Sequence, residues 1–236
     1  MSTAPMLETR SLDKVFGGVR AVAAVDFRLY RGDLRCLIGP NGAGKSTFFK
    51  MLTAQLRPSS GRIVFEGVDI TRKQSHEISR LGIGIKNQVP TVFDGLSVHE
   101  GLWIAAAAER DPDHADAIAA EVIERLGLGA VAQTPVGLLA HGQRQWVEFG
   151  MVMAQKPKLI LLDEPTAGMG EAEVKRAAAL IRELNRTATL IVVEHDMQFI
   201  REIAGIVTVF HQGGILMEDT MQNVQKNPKV REIYLG

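Results

Sequence analysis

The stretch Gly39-Pro40-Asn41-Gly42-Ala43-Gly44-Lys45-Ser46 is a full match to the pattern G-x-x-x-x-G-K-[ST]. An apolar run, Leu34-Arg35-Cys36-Leu37-Ile38, precedes it and reads as a strand buried on both faces. Lys45 to Leu56 follows and reads as a helix stopped at Arg57-Pro58-Ser59-Ser60-Gly61. Strand, glycine loop and helix in that order are what a phosphate-binding loop requires. The glycines let the backbone wrap closely, successive N–H groups point at phosphate oxygens, and the helix N-terminus carries partial positive charge. Lys45 can then bridge the β- and γ-phosphates, and the Ser46 hydroxyl can ligate Mg²⁺. Gly39, Pro40, Asn41, Gly42, Ala43, Gly44, Lys45, Ser46 and Thr47 are the expected nucleotide contacts.

Outward from the loop, the N-terminal third reads as short strands. Val22, Val25, Phe27 and Leu29 mark one, Tyr30-Arg31-Gly32-Asp33 is a turn, and Arg62 to Phe65 is another strand. From Val98 to Ala154 the pattern is helical, interrupted at Asp111-Pro112-Asp113. Asp113 is placed to cap a helix from Ala115 to Leu126, which Gly127 ends. Alternation then returns. Leu159 to Leu162 and Leu190 to Val193 are buried strands, and Glu171 to Asn185 and Gln198 to Ala204 are helices. Ile206 to Phe210 pairs with Ile215 to Met217 across Gln212-Gly213-Gly214. Strand–helix alternation on both sides of a helical insert predicts a parallel α/β core. We expect a phosphate-loop α/β core over 1–87 and 156–236 that includes an N-terminal antiparallel β subdomain, with the helical insert over 88–155.

A second carboxylate constellation lies downstream at Asp163-Glu164-Pro165. A buried strand ending in a carboxylate delivers it to the carboxyl edge of the sheet, beside the loop. Asp163 is suited to hold Mg²⁺, and Glu164 to orient or deprotonate an attacking water; capping the next helix is the alternative for this pair. His195 ends Ile191-Val192-Val193-Glu194 and is either structural or a hydrogen-bond donor to a γ-phosphate. Gln88, in Ile85-Lys86-Asn87-Gln88, is uninformative taken alone.

Composition narrows the class. The 236 residues carry 27 Lys+Arg against 27 Asp+Glu, so the balanced charge argues against a nucleic-acid binder. With 46% hydrophobic residues the chain can bury a sizeable core. Its one cysteine, Cys36, excludes an internal disulfide and a cysteine-based zinc site, and reads as a small buried residue. No apolar stretch reaches membrane-spanning length, and Met1-Ser2-Thr3-Ala4-Pro5 carries no secretory signal. A cytoplasmic protein is expected, with any membrane contact made through another protein.

These elements, in this order, resemble the nucleotide-binding subunit of ABC transporters over essentially the whole chain. Leu139-Ala140-His141-Gly142-Gln143 looks like the family signature, Gln88 matches the Q-loop glutamine, and His195 matches the switch histidine. Asp163-Glu164-Pro165-Thr166 matches the junction of the metal carboxylate and the catalytic glutamate. Phe16 falls where the family stacks an aromatic ring on adenine. The resemblance implies an ATPase using Mg²⁺, with Glu164, His195, Gln88 and Lys45 in catalysis and Ser46, Gln88 and Asp163 at the metal. Ala140, His141, Gly142 and Gln143 would face the nucleotide of a second ATP-binding subunit, a paralogue or a second copy. Two transmembrane permease subunits are the implied partners, with a periplasmic solute-binding protein reached through them and no nucleic acid. The place implied is the inner face of the cell membrane.

The chain departs from the family pattern in three places. Ala140 and His141 replace the serine and first glycine of Leu-Ser-Gly-Gly-Gln. Losing the hydroxyl removes a hydrogen bond to a charged acceptor, worth about 1.5–3 kcal/mol. Ala167-Gly168-Met169-Gly170 replaces a D-loop that usually ends in Leu-Asp, and Asn87 replaces an aromatic residue. Gly142-Gln143-Arg144-Gln145-Trp146-Val147-Glu148, Leu81-Gly82-Ile83-Gly84, Pro90-Thr91-Val92-Phe93 and the ending Tyr234-Leu235-Gly236 are similar to the hydrophobic amino-acid and urea uptake branch. His141 with Gln145-Trp146 is most similar to the urea type, and the branched-chain amino acid type is its competitor. A soluble ABC protein acting on ribosomes or DNA, or a nucleotide-binding regulator with little turnover, are the readings from other classes.

Overall fold

Three five-residue runs in which every residue is buried form the centre of the molecule: β3 (Leu34–Ile38), β7 (Leu159–Asp163) and β8 (Thr189–Val193). Such runs need cover on both faces, which parallel strands flanked by helices provide. The computed structural model describes residues 4–87, 92–107 and 112–235. It adds β6 (Ile83–Lys86), β9 (Ile206–His211) and β10 (Gly214–Asp219) to make a six-stranded sheet of order β10-β9-β3-β8-β7-β6. All neighbours are parallel except β10, which returns antiparallel on β9 at one edge.

Alternation along these strands divides the apolar core in two. Cys36, Ile38, Ile160, Leu162, Leu190 and Val192 face a cluster built with α5 (His141–Ala154), α6 (Glu171–Leu184) and α7 (Met197–Ile203). Leu37, Leu159, Leu161, Ile191 and Val193 face a second cluster that includes Phe48 and Phe49 of α1 (Lys45–Leu52). That second cluster is closed by an antiparallel sheet of order β2-β1-β4-β5, formed by β1 (Leu7–Phe16), β2 (Val19–Leu29), β4 (Ser60–Phe65) and β5 (Val68–Asp69). Phe48 sits edge-on to Phe27 of β2 at 5.5 Å and 5.2 Å from Phe210 of β9. Full burial of such a ring contributes about 1.5–3 kcal/mol, so this trio pins α1 between the two sheets.

The middle of the chain is several helices. After α2 (Ser75–Arg80) and β6 come α3 (Val98–Ala107), α4 (Pro112–Leu126), two short 3₁₀ turns, and then α5. Asp113 is not a cap: α4 already starts at Pro112, a residue suited to a first helical position. The helix after the glycine loop is also shorter than expected, ending at Leu52 instead of Leu56. Thr53 Oγ1 turns back onto the carbonyl of Phe49 and Ala54 takes a positive φ of 56°, which stops the helix. Cys36 is fully buried, and burial raises its thiol pKa well above the ordinary range. The chain ends with α8 (Met221–Lys226) and α9 (Pro228–Leu235).

Candidate active site

Parallel strands collect their carboxyl ends at one edge, and the register shows what gathers there. Leu37 of β3 lies opposite Val193 of β8, Asp163 of β7 lies opposite the same Val193, and Lys86 of β6 lies opposite Leu162. Residues just past these positions are the glycine loop, Glu164, His195 and the segment starting at Asn87. Gln88 itself lies outside the described residues.

The loop from Gly39 to Gly44 runs into α1 under tight steric constraint. A Cβ on Gly39 would lie 2.4 Å from the carbonyl oxygen of Phe210, and one on Gly44 would lie 2.4 Å from that of Ala21. Both positions also have positive φ, 152° and 101°, so glycine is required twice over. Asn41, Gly42 and Ser46 are exposed, Pro40 and Thr47 half-buried, and Ala43 buried. The β9–β10 turn braces the loop: Gly213 N donates to Ala43 O at 3.0 Å, and Ala23 N of β2 donates to Gly213 O at 2.8 Å. In the sequence Gln212-Gly213-Gly214 reads only as a hairpin turn. The Lys45 ammonium donates to the carbonyls of Gly39 at 2.6 Å and Pro40 at 3.0 Å. Burial lowers its pKa, and the Glu164 and Asp163 carboxylates oppose that shift.

Asp163 is 8% exposed, and its pKa is raised to about 6, first by burial and next by Glu164. Glu164 has a left-handed backbone with φ 45°, and its N–H donates to Val193 O at 2.9 Å, which ties the turn to β8. His195 Nδ1 is 3.6 Å from Glu164 Oε1, and the ring is largely exposed at 73%. Between them lies a residue sequence reasoning passed over. Glu194 is 2% exposed and accepts from Thr166 N and Oγ1, His195 N at 2.8 Å and Asp196 N at 3.3 Å. One buried carboxylate thereby fixes the turns after both β7 and β8. An acidic residue ending an otherwise apolar strand was the available signal.

Phe16 is 46% exposed at the end of β1, with Lys14 Nζ 5.0 Å from its ring. It opens the Gly17-Gly18 hairpin, whose returning strand carries the Ala21 carbonyl packed on Gly44. Ala140 is the N-cap of α5 with extended φ −60° and ψ 153° but makes no side-chain cap; Gln143 Oε1 accepts from its N–H at 3.1 Å. The His141 ring is directed at Ala167, with Nε2 3.4 Å from its carbonyl oxygen. Asn87 accepts from Gln55 at 2.7 Å. Trp146, used above as a mark of kinship, is buried against Phe149 and under Arg176.

Ser46 and Asp163 offer a hydroxyl and a carboxylate, the oxygen donors a hard divalent cation takes. The raised pKa of Asp163 fits such a group, since a cation would relieve the cost of its charge. A phosphate-binding loop, paired carboxylates and a histidine at one sheet edge define a phosphate-loop nucleotide hydrolase. A family model described as ABC transporter matches residues 22–167, and the chain belongs to that family, as its ATP-hydrolysing motor subunit. It is 32% identical to the high-affinity branched-chain amino acid transport ATP-binding protein BraF of Pseudomonas aeruginosa over 98% of each chain. The LivG protein of the same description from Escherichia coli K12 gives the same identity and coverage. Among solved structures, the ADP conformation of an ATP-binding cassette of an ABC transporter matches with TM-score 0.87 and 30% identity, covering 99% of this chain and 100% of that one. The cbiO1 protein of Clostridium perfringens matches with TM-score 0.83 and 27% identity, over 98% and 95% of the two chains. Among the described residues no helix is long and apolar enough to cross a membrane.

Proposed function

We propose that this chain drives an importer of branched-chain amino acids or a chemically related small solute, docked on two transmembrane permease subunits at the cytoplasmic face of the membrane. The supporting observation is the convergence of Lys45, Asp163, Glu164 and His195 at one sheet edge, in a chain that matches LivG and BraF over 98% of its length. A solute-binding protein outside the membrane would deliver the solute to the permeases. The unit over 88–155 carries both Gln88 and the signature segment, and is the part we assign to permease contact.

In this reading, loop N–H groups hold the phosphates, Lys45 exchanges its own loop carbonyls for β- and γ-phosphate oxygens, and Phe16 stacks on adenine. Mg²⁺, held by Ser46 and Asp163 with Gln88, would neutralise phosphate charge. Glu164 accepts the proton of the attacking water as its oxygen bonds to the γ-phosphorus and the bond to the departing ADP oxygen breaks. His195 donates a hydrogen bond to the γ-phosphate. Backbone N–H groups at Ala140 to Gln143 and the start of α5 face the γ-phosphate held by a second ATP-binding subunit.

The test is steady-state ATPase activity of the complex with its permeases, comparing wild type with Glu164→Gln. We expect at least about a hundredfold loss, typical of removing a general base. Equal and negligible turnover in both would leave the regulator reading standing instead. A urea importer is the second reading, carried by His141 and Gln145-Trp146. Uptake of labelled leucine against labelled urea by the reconstituted complex separates the two.

A further inference from the structure

The Lys86 side chain is 0% exposed at the end of β6. Its ammonium donates to Gln145 Oε1 at 2.5 Å and lies 3.1 Å from Glu148 Oε2, both on α5. With its oxygen taken by Lys86, the Gln145 amide turns its nitrogen toward His141 Nε2, 3.4 Å away. That nitrogen therefore accepts from Gln145 and cannot also donate, so its 3.4 Å approach to the carbonyl oxygen of Ala167 is a packing contact. The ring also covers Gly168 closely. A Cβ there would lie 2.9 Å from His141 Nε2 and 3.0 Å from Cδ2. One residue on, a Cβ on Gly142 would lie 2.5 Å from Glu173 Oε1, while the other oxygen of Glu173 accepts from Gly170 N at 3.1 Å.

The turn opening α5 therefore rests on segment 167–170 at two points. The ring at 141 takes the space that a side chain at 168 would occupy. The segment is tied in turn to the base, because Ala167 N donates to the carbonyl of Glu164 at 3.2 Å and Met169 N to that of Thr166 at 3.0 Å. A glycine at 141 would have no atoms to cover Gly168.

We propose that His141 is a positioning residue for hydrolysis: oriented by Lys86 and Gln145, its ring holds segment 167–170 and through it the turn carrying Glu164, and does not itself bind phosphate. The inference rests on the ATPase reading above. It assigns the buried Lys86–Gln145 pair a role: to orient the imidazole from the far side of α5. A ring that bound phosphate would contribute to ATP affinity; a ring that places the base contributes to turnover alone.

The experiment compares wild type, His141→Gly, His141→Gln, Gly168→Ala and the double variant His141→Gly/Gly168→Ala, each as full-length chain with its permeases. We expect His141→Gly to lower kcat about tenfold with KM for ATP within about twofold. His141→Gln, whose planar amide can lie over Gly168 in place of the ring, should recover most of the loss. Gly168→Ala, whose φ of 74° strains any side chain, should lower kcat in wild type by that strain and by collision with the ring, and cost less in the His141→Gly background, where the strain alone remains. A rise in KM matching the loss in kcat, or multiplying losses in the double variant, overturns the proposal. Hydrogen exchange over 166–170 decides the same point without turnover: it should quicken in His141→Gly, and unchanged exchange overturns the clamp. Should wild type show no turnover above Glu164→Gln, the motor reading fails on its own, and the exchange measurement still decides the clamp.

Discussion

At the scale of the residue, Asp163 carries an energetic cost, which the role at Mg²⁺ proposed for it accounts for. Burial and the neighbouring Glu164 raise its pKa to about 6. The folded chain therefore holds this proton more tightly than the unfolded chain, where the group titrates near the ordinary value of about 4. The contribution of this group to stability is therefore most favourable at low pH and falls as pH rises from about 4 to about 6, with its full penalty in force above that. We predict that Asp163→Asn, measured in chelator without nucleotide, stabilises the fold by about 2 kcal/mol at pH 7.5. The gain should shrink as pH is lowered through 6 in urea titrations. An equal gain at pH 5 and pH 7.5 would assign the effect to something other than this carboxyl. Asp163 and Glu164 were legible because a carboxylate pair ending an apolar strand has few other uses. Glu194 was not, since nothing in its identity says that four donors from two turns converge on it.

At the scale of the element, α5 begins without the side-chain cap its family usually supplies. Ala140 has the extended backbone of an N-cap, yet only the reciprocal half of the motif is present, from Ala140 N to Gln143 Oε1. Ala140→Ser adds the missing acceptor for the N–H of residue 143, worth about 1 kcal/mol. The melting temperature should rise by about 2–4 °C, as that increment implies for a chain this size. Turnover should be preserved or raised, and a tenfold drop would mean that the alanine is a local adaptation. The elements differ in how openly their sequences declare them. β3, β7 and β8 are plain apolar runs, whereas β1 hides its alternation. Its register with β2 shifts between Thr9 and Leu12 and again at Lys14, and Ser11 and Ala24 take positive φ. Each bulge moves the following side chains to the other face, so a period of two never builds up.

At the scale of the whole molecule, the helical insert is joined to the α/β core by packing and by a buried ion pair, Lys86 on β6 with Glu148 on α5. Order of elements was enough to foresee an insert within a parallel core; this join was not foreseen, because Lys86 and Glu148 lie far apart in the chain and each reads as an ordinary surface charge. The α8 and α9 helices were missed because short polar segments such as Met221-Gln222-Asn223 carry little apolar periodicity. Burial lowers the pKa of Lys86, and the attraction of Glu148 opposes that shift, so each charge is tolerated only in the presence of the other. Removing one partner should therefore cost far more than removing both. We predict that Lys86→Met lowers unfolding free energy by about 3–5 kcal/mol, while Lys86→Met/Glu148→Leu returns most of it. Urea denaturation of the four chains of this cycle measures the coupling, and additive losses would show that the pair does not hold the insert to the core. Recovery of stability without recovery of turnover in the double variant would separate two tasks of one lysine. Charge balance with Glu148 would keep the insert attached, and the hydrogen bond to Gln145 would keep the signature turn aligned with the base.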